Sequence, residues 1–212
     1  MKHLNLILII LILSCCPLHP AYAFFDKDIR LLTMRDGLAD NTIPCIYKDE
    51  DGFMWFGTDD GLSRYDGKTI QNFKPADTYA SVAAIVRLSD DFLGIVSDGY
   101  LYYFNRKQET FLPIHTESDT AIGVFNVLPA DNSSFWGISG NRLILCQWEI
   151  RQGKEEEKTA VRVRIQKTFQ LLEEKGEVFS SLCYHEKAGN GIWLTTNRGN
   201  LILFHPDTPE SY

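Results

Sequence analysis

Hydrophobic and polar positions alternate with a period of two over short runs, and turn residues separate these runs. In residues 53–57, Phe53, Trp55 and Gly57 alternate with Met54 and Phe56. Asp-Gly pairs flank this run at 51–52 and 60–61. A period of two is typical of a β-strand, and glycine after aspartate favours a tight turn. The pattern predicts a meander of short strands, which must stack against other copies to bury its apolar face.

Similar copies follow along the chain. If Trp55, Leu93, Trp136 and Trp193 are equivalent, the steps between them are about 38, 43 and 57 residues. Four-stranded propeller blades repeat at roughly 40 to 50 residues. The long third step contains a predicted β-hairpin over residues 147–165, with the charged run 151–158 at its solvated tip.

The repeats predict an all-β fold, namely a partial, open β-propeller of about four blades, each a four-stranded antiparallel sheet. Four modules form an arc, and the outermost strand of the fourth is not visible in the sequence. Residues 24–33 contain a plausible lead-in strand. The predicted modules span about residues 42–74, 82–113, 123–170 and 178–212.

The first module resembles the two-component regulator propeller repeat. The resemblance covers residues 30–73 specifically, through Asp36-Gly37-Leu38 and the run from Asp49 to Gly67, and continues more weakly to residue 212. It implies the periplasmic sensor part of a hybrid two-component regulator from Bacteroidetes, an oligosaccharide ligand, and control of polysaccharide-use genes by the intact regulator. It also implies that the lead-in strand completes the last blade. Because no kinase, receiver or helix-turn-helix pattern is present, the chain is interpreted as a truncated sensor.

Residues 1–23 have the pattern of a signal peptide. An apolar run over residues 4–13 is too short to span a membrane, and Ala21 and Ala23 occupy the positions that a signal peptidase reads. Cleavage after Ala23 would leave residues 24–212 as a mature periplasmic protein. A lipoprotein anchored at Cys15 or Cys16 is the less favoured alternative.

Charge and cysteine content narrow the function classes. The net charge is -7 and no basic face is visible, which disfavours a nucleic-acid partner. After cleavage, Cys45, Cys146 and Cys183 remain; each stands in an apolar strand context and is expected to be buried, and a disulfide between two of them stays open. The histidine and cysteine spacing predicts no metal site and no cofactor.

Few residues suggest a binding or catalytic site. The aspartates of the first module, such as Asp49 and Asp66, are expected in turns rather than around calcium. The repeated tryptophans are expected between blades. Aromatic residues outside the repeat are better ligand candidates, and no catalytic residue is assigned. These off-repeat aromatics are Trp148, Tyr100, Tyr102 and Tyr103.

A ligand-sensing propeller segment without kinase or output domains is the leading hypothesis. A non-catalytic protein-interaction scaffold is the first alternative, and a propeller-type polysaccharide lyase or glycosidase the second. The catalytic carboxylates of a glycosidase are paired in space rather than in sequence, so sequence spacing does not decide against them. An open arc would expose sheet faces and strand edges, which predicts self-association.

Overall fold

The computed structural model describes residues 29–74, 81–117, 122–151, 160–172, 174–185 and 191–207. The chain divides into two compact units, residues 1–31 and 32–212, and only residues 29–31 of the first unit are described. The predicted signal peptide and its cleavage site lie outside the described residues. No helix in the described part is long and apolar enough to cross a membrane.

The described residues of the second unit form four sheets, numbered here as blades I to IV. Blades I and II are four-stranded antiparallel meanders in which each strand pairs with the next along the chain. Blade I contains β1 (Cys45–Lys48), β2 (Met54–Thr58), β3 (Gly61–Tyr65) and β4 (Ile70–Phe73). Blade II contains β5 (Val82–Arg87), β6 (Phe92–Ser97), β7 (Tyr100–Asn105) and β8 (Thr110–Pro113).

Blades III and IV depart from the predicted four-stranded plan. Blade III contains β9 (His115–Thr116), β10 (Asn126–Pro129), β11 (Ser134–Ser139), β12 (Arg142–Arg151) and β13 (Ala160–Gln170). The predicted hairpin is the pair β12 and β13, and the short β9 pairs with β13 in parallel. Blade IV has three strands among the described residues, β14 (Phe179–His185), β15 (Gly191–Thr196) and β16 (Leu201–Phe204).

The blades are arranged radially. The first strands of successive blades contact one another, β1 with β5 and β10 with both β5 and β14. Three apolar clusters fill the spaces between blades I and II, II and III, and III and IV. The prediction of an all-β partial propeller of four blades is therefore confirmed, and each cluster is a sheet-on-sheet interface rather than part of a sandwich core.

Trp55 and Trp136 pack between blades as expected, whereas Trp193 lies on the face of blade IV that points away from blade III, and Leu93 is not equivalent to any of them. The second strand of each blade ends in a hydroxyl residue, and the position three residues earlier holds Trp55, Gly94, Trp136 and Trp193. Trp55 and Trp136 point toward the following blade and are buried. Leu93 points the opposite way, into the same cluster as Trp55. The large ring in the interface between blades II and III is supplied instead by Trp148 of β12.

The segment before β1 caps blade I instead of forming the predicted strand. Thr33 starts a single 3₁₀ turn, Met34–Asp36, which ends at Gly37 with φ of 112°. The amide of Ala39 donates to Ser63 Oγ over 3.2 Å, and Asn72 Nδ2 donates to the Gly37 carbonyl over 2.8 Å. Leu38 is thereby held on the outward face of blade I. Residues 24–28 of the predicted lead-in strand lie outside the described part.

The three described cysteines are free thiols in three different blades. Burial raises the pKa of Cys45 to about 11 and that of Cys146 to about 12. Cys183 is exposed, so the expectation that all three are buried is wrong for this residue. Its side chain lies on the face of blade IV that points away from blade III, opposite Leu182 and its neighbours in the apolar cluster.

Candidate functional site

A groove of about 750 Å³ lies between blades III and IV. The turn between β10 and β11 forms one wall, the hairpin of β12 and β13 contributes a second side, and blade IV contributes a third. It is lined by Pro129, Ala130, Asp131, Asn132, Ser134, Trp136, Leu145, Gln166, Lys167, Tyr184, Pro206 and Asp207. Its volume exceeds those of two other clefts in the described part of the chain, which are about 230 and 280 Å³.

Asp131 holds the wall formed by the β10–β11 turn. One carboxylate oxygen accepts from the amide of Ser133 over 2.7 Å, and the other accepts from the hydroxyl of Ser134 over 2.5 Å. These hydrogen bonds favour the ionised form, so the pKa of Asp131 lies below its ordinary value, the Ser134 bond being the larger cause. A general acid for glycoside cleavage needs a raised pKa, and Asp131 has the opposite shift.

Tyr184 provides an aromatic surface on the opposite wall. Its side chain is 40% exposed, and its hydroxyl donates to the carbonyl of Pro129, which joins blade IV to the end of β10. Burial, together with the negative charge of Asp131, raises the pKa of Tyr184 above its ordinary value. The phenol therefore stays neutral and keeps its proton for this hydrogen bond.

Trp136 is a second aromatic residue in the lining of the groove. The indole is 5% exposed because it packs against Phe169 and Phe204, with ring centroids 6.0 and 5.8 Å away. The tryptophan therefore belongs mainly to the interface between blades III and IV, although it also lines the groove. The exposed aromatic ring of the site is Tyr184.

A β-bulge shapes the third side of the groove. The pairing of β12 with β13 shifts between Leu145 and Cys146, which leaves Gln166 as an extra residue on β13. A bulge twists the strand locally and redirects side chains. Gln166 donates from Nε2 to Gln147 Oε1 over 2.9 Å and lines the groove next to Lys167. The groove thus combines the ring of Tyr184 with two side-chain amides, an ammonium group and two carboxyl groups.

A second cleft, of about 230 Å³, lies between blades I and II and is filled by ion pairs. Arg106 donates to Asp49 over 2.9 Å and to Asp51 over 2.6 Å. Arg87 pairs with Asp90 at 2.5 Å and with Glu50 at 3.5 Å. Each arginine is paired with two carboxylates, so the cleft carries more negative than positive charge, and its charged side chains bind one another across the blade interface.

The off-repeat aromatic residues do not form one site. Trp148 is 6% and Tyr103 3% exposed, both inside the interface between blades II and III. Tyr102 packs against the interface between blades I and II. Tyr100 is 49% exposed at the β6–β7 turn, at the other end of the blades from the groove.

The sequence analysis missed Tyr184 as a ligand candidate. It stands in an apolar strand, directly after Cys183, and nothing in the repeat marks it out. The aspartates of the first module do occupy turns, and Asp66 accepts from the amides of Lys68 and Thr69 over 2.7 and 2.6 Å. Among the described residues, no three histidine, cysteine or acidic side chains lie close enough together to hold a metal ion.

Residues 37–60 match the protein family described as two component regulator propeller. They cover the cap of blade I and its first two strands. No match was found among curated protein sequences.

Solved propellers share the fold. The extracellular domain of the putative hybrid two component system BT4673 from B. thetaiotaomicron aligns with a TM-score of 0.57 at 14% identity, over 80% of this chain and 24% of that one. A second structure of the BT4673 extracellular domain, described as a one component system, gives 0.56 at 17% identity over 79% and 21%. YCF48 from Cyanidioschyzon merolae gives 0.50 at 14% identity over 80% and 53%.

The chain thus spans about a quarter or less of the BT4673 domain structures that it matches. At these identities the structural likeness establishes the propeller fold, and the family match falls on the module whose motifs are the most specific. Together they confirm the resemblance of this chain to the two-component regulator propellers.

Proposed function

We propose that this chain is a periplasmic, ligand-sensing propeller segment of a two-component regulator, and that an oligosaccharide binds in the groove between blades III and IV. The observation that carries the proposal is the exposed ring of Tyr184, fixed by its bond to Pro129 and surrounded by hydrogen-bonding groups. Sugars present apolar ring faces and many hydroxyls, so an aromatic surface beside amide and charged groups suits them.

Binding in this groove would act on the packing of two blades. The groove is made by residues of both blades, with Asp131 and Gln166 on blade III and Tyr184 on blade IV. A ligand that contacts both blades stabilises the arrangement in which the two walls have the correct separation. Such differential affinity is the requirement for a ligand to shift a conformational equilibrium.

The groove favours binding over turnover. Hydrolysis with either stereochemical outcome needs a protonated carboxyl group beside a second carboxylate. Two carboxyl groups, those of Asp131 and Asp207, line the groove. The hydrogen bonds from Ser133 and Ser134 favour the ionised form of Asp131, which therefore does not supply the proton that hydrolysis requires. We expect an oligosaccharide to leave the protein unchanged.

The test is a binding screen with matched tyrosine variants. The purified protein is titrated with defined oligosaccharides by calorimetry, and the products are checked by chromatography. Tyr184→Ala should weaken binding about tenfold or more, since one well-placed aromatic contact contributes on the order of 1.4 kcal/mol. Tyr100→Ala removes a ring of comparable exposure, 49% against 40%, at the other end of the blades and should leave the affinity unchanged.

Three outcomes would contradict the proposal. Loss of binding in Tyr100→Ala with full binding in Tyr184→Ala would place the site at the other end of the blades. Release of shortened sugars would favour the lyase or glycosidase hypothesis. Absence of binding to every sugar, with capture of a stoichiometric protein partner, would favour the scaffold hypothesis.

A further inference from the structure

The groove between blades III and IV and the ion-pair cleft between blades I and II occupy equivalent places in the fold. Both include the turn between the first and second strands of a blade. In blade I the amide of Asp49 closes this turn by donating to the carbonyl of Phe53 over 3.0 Å. In blade III the amide of Ala130 donates to the carbonyl of Ser134 over 2.9 Å, across a turn of the same length. Ala130 therefore occupies the position of Asp49.

The following blade also contributes equivalent positions to the two spaces. Strand pairing places Arg106, which follows β7, at the position of Pro206, which follows β16. It likewise places Arg87 at the end of β5 at the position of Tyr184 in β14. The second space therefore lacks both arginines and the carboxylate between them, in agreement with its volume of about 750 Å³ against about 230 Å³.

The alanine leaves an indole of blade III without its acceptor. In blade I, Nε1 of Trp55 donates to Oδ2 of Asp49 over 2.8 Å, and Arg106 donates to the same oxygen over 2.9 Å. In blade III, Nε1 of Trp136 has no hydrogen-bond partner among the described residues. The fully buried side-chain nitrogen that lacks a partner in this part of the chain is Nδ1 of His115, so Nε1 of Trp136 is not sealed from solvent. Since Trp136 lines the groove, a ligand oxygen can reach this donor.

A cation lies on the same face as this donor. The cross-strand row that begins at Trp136 reaches Lys167 two strands away, so their Cα atoms are roughly 10 Å apart and both side chains line the groove. The ammonium group of Lys167 has no hydrogen-bond or ion-pair partner in the described part of the chain. Lys167 can therefore supply the positive charge that Arg106 supplies in the first cleft. The carboxyl groups of Asp131 and Asp207 are exposed, and water and salt screen their charge.

We propose that Trp136 and Lys167 bind a carboxylate of the ligand, at the place that the carboxylate of Asp49 takes between blades I and II. This inference rests on the proposed function and narrows the ligand class from oligosaccharides to those that contain uronic acid residues. The carboxylate accepts a hydrogen bond from Trp136 Nε1 and pairs with the ammonium group of Lys167. Hydrogen bonds to a charged group are stronger than those between neutral groups, so the two donors favour an acidic sugar over a neutral one of similar shape.

The first test compares oligogalacturonides and oligoglucuronides with their carboxyl-reduced, neutral counterparts by calorimetry. The acidic oligosaccharide should bind about ten times more tightly than its neutral counterpart. Trp136→Phe keeps an aromatic ring and removes Nε1, so it should weaken binding of the acidic sugar about tenfold and leave that of the neutral sugar nearly unchanged. Trp55→Phe removes the equivalent nitrogen from the other cleft and should leave both affinities unchanged.

The second test restores the missing carboxylate. The side chain introduced by Ala130→Asp should accept from Trp136 Nε1 and occupy the place of the ligand, so this variant should lose binding of the acidic sugar. In nitrogen-15 NMR spectra, the indole proton of Trp136 should move downfield in Ala130→Asp, and also in the unsubstituted protein when the acidic sugar is added. Ala130→Val adds a side chain of similar size without an acceptor and should leave this signal in place. The indole signal of Trp55, which already has its acceptor, serves as the internal reference.

The results that support the proposal are a preference for the acidic sugar that is lost in Trp136→Phe, and a downfield shift of the indole signal in Ala130→Asp. Equal affinities for acidic and neutral sugars, both weakened by Tyr184→Ala, would overturn it and leave the proposed function standing. A preference that persists in Trp136→Phe would also overturn it, as would an unshifted indole signal in Ala130→Asp. Absence of binding to every sugar would overturn it together with the proposed function.

Discussion

Asp49 is a buried carboxylate that joins a turn to an interface. Its oxygens accept from the amide of Phe53 and from the indole Nε1 of Trp55, each over 2.8 Å, and from Arg106 of blade II over 2.9 Å. The residue is 7% exposed. One side chain therefore fixes the β1–β2 turn, orients the main aromatic residue of the interface and receives the arginine of the next blade.

The first prediction concerns this carboxylate. Asp49→Ala should lower the free energy of unfolding by about 2 kcal/mol or more, because it leaves the Trp55 indole without its buried acceptor and removes the more buried of the two carboxylates that pair with Arg106. Asp51→Ala removes the other carboxylate that pairs with Arg106. Because the Asp51 side chain is 64% exposed, this substitution should lower the free energy of unfolding by less than about 1 kcal/mol. Urea unfolding of the two variants measures the difference, and equal losses would contradict a special role for Asp49.

At the scale of single residues, the sequence predicted which side chains are buried between blades better than it predicted hydrogen bonds between distant residues. The period of the repeat was enough to place Trp55 and Trp136 between blades. The same pattern favoured burial of Cys183, which is exposed because the face on which it lies has no covering sheet in the described residues. Tyr184 was missed because its importance depends on Pro129, 55 residues away, and contacts of that kind are set by how two blades meet.

At the scale of strands, the close approach of blades I and II depends on Gly57 in β2. A side-chain carbon at this position would lie 2.4 Å from Cys45 Sγ and 2.5 Å from the carbonyl oxygen of Val82. Val82 begins the first strand of blade II, so its backbone cannot move away without shifting that sheet. Gly67, in the β3–β4 turn, has open space around it and a φ of 95°.

The second prediction separates these two glycines. Gly57→Ala should cost about 1–3 kcal/mol of stability through overpacking and should expose Cys45 to a thiol reagent. Gly67→Ala should cost about 1 kcal/mol through backbone strain alone, with Cys45 still protected. Unfolding in urea gives the energies, and the rate of thiol labelling gives the mechanism. Equal labelling rates in the two variants would show that the contact at Gly57 relaxes without opening the interface.

Most strands could be predicted from alternation and turn residues, since both are local signals. The pairing of β9 with β13 could not, because β9 is two residues long and joins a partner about 47 positions later, where Arg162 pairs with His115. The bulge opposite Leu145 was also unpredictable, since Gln166 sits in a run of alternating residues that looks regular. The first feature adds an edge strand to blade III, and the second leaves Gln166 as an extra residue in the lining of the groove.

At the scale of the whole molecule, stability is carried by three interfaces in series. Each apolar cluster joins one blade to the next, and the described blades contact their neighbours through these clusters. In such arrays stability is approximately the sum of intrinsic and nearest-neighbour terms. A defect at one interface should therefore affect the adjoining blades more than distant ones.

The third prediction tests this arrangement by hydrogen exchange. Trp136→Ala should cost about 3–5 kcal/mol and reduce amide protection in residues 179–204, while residues 45–73 keep theirs. Trp148→Ala should instead reduce protection in blades II and III, because its ring lies in their interface. A uniform loss of protection over all four blades in Trp136→Ala would show that the array unfolds as one unit.

The architecture was predictable because repetition is visible in sequence, and the family resemblance pointed the same way. The groove was not, because it arises where two unequal blades meet, one with five strands and one with three among the described residues. Its walls come from residues 129–134, 166–167 and 184, which no single repeat unit contains. Because the groove is formed where the blades depart from the repeat, the repeat pattern in the sequence does not predict it.

Gly94 limits how blades of this protein can be exchanged with blades of other propellers. Blade II has Gly94 where Trp55 and Trp136 stand in their own blades, and blade III supplies Trp148 to the same interface. The side chains that the two sheets contribute to their interface are therefore complementary in size: the small residue of blade II faces the large ring of blade III. Transplanting a regular tryptophan-bearing unit in place of blade II would set two indoles against one another, so neighbouring units of this protein would have to be exchanged as a pair.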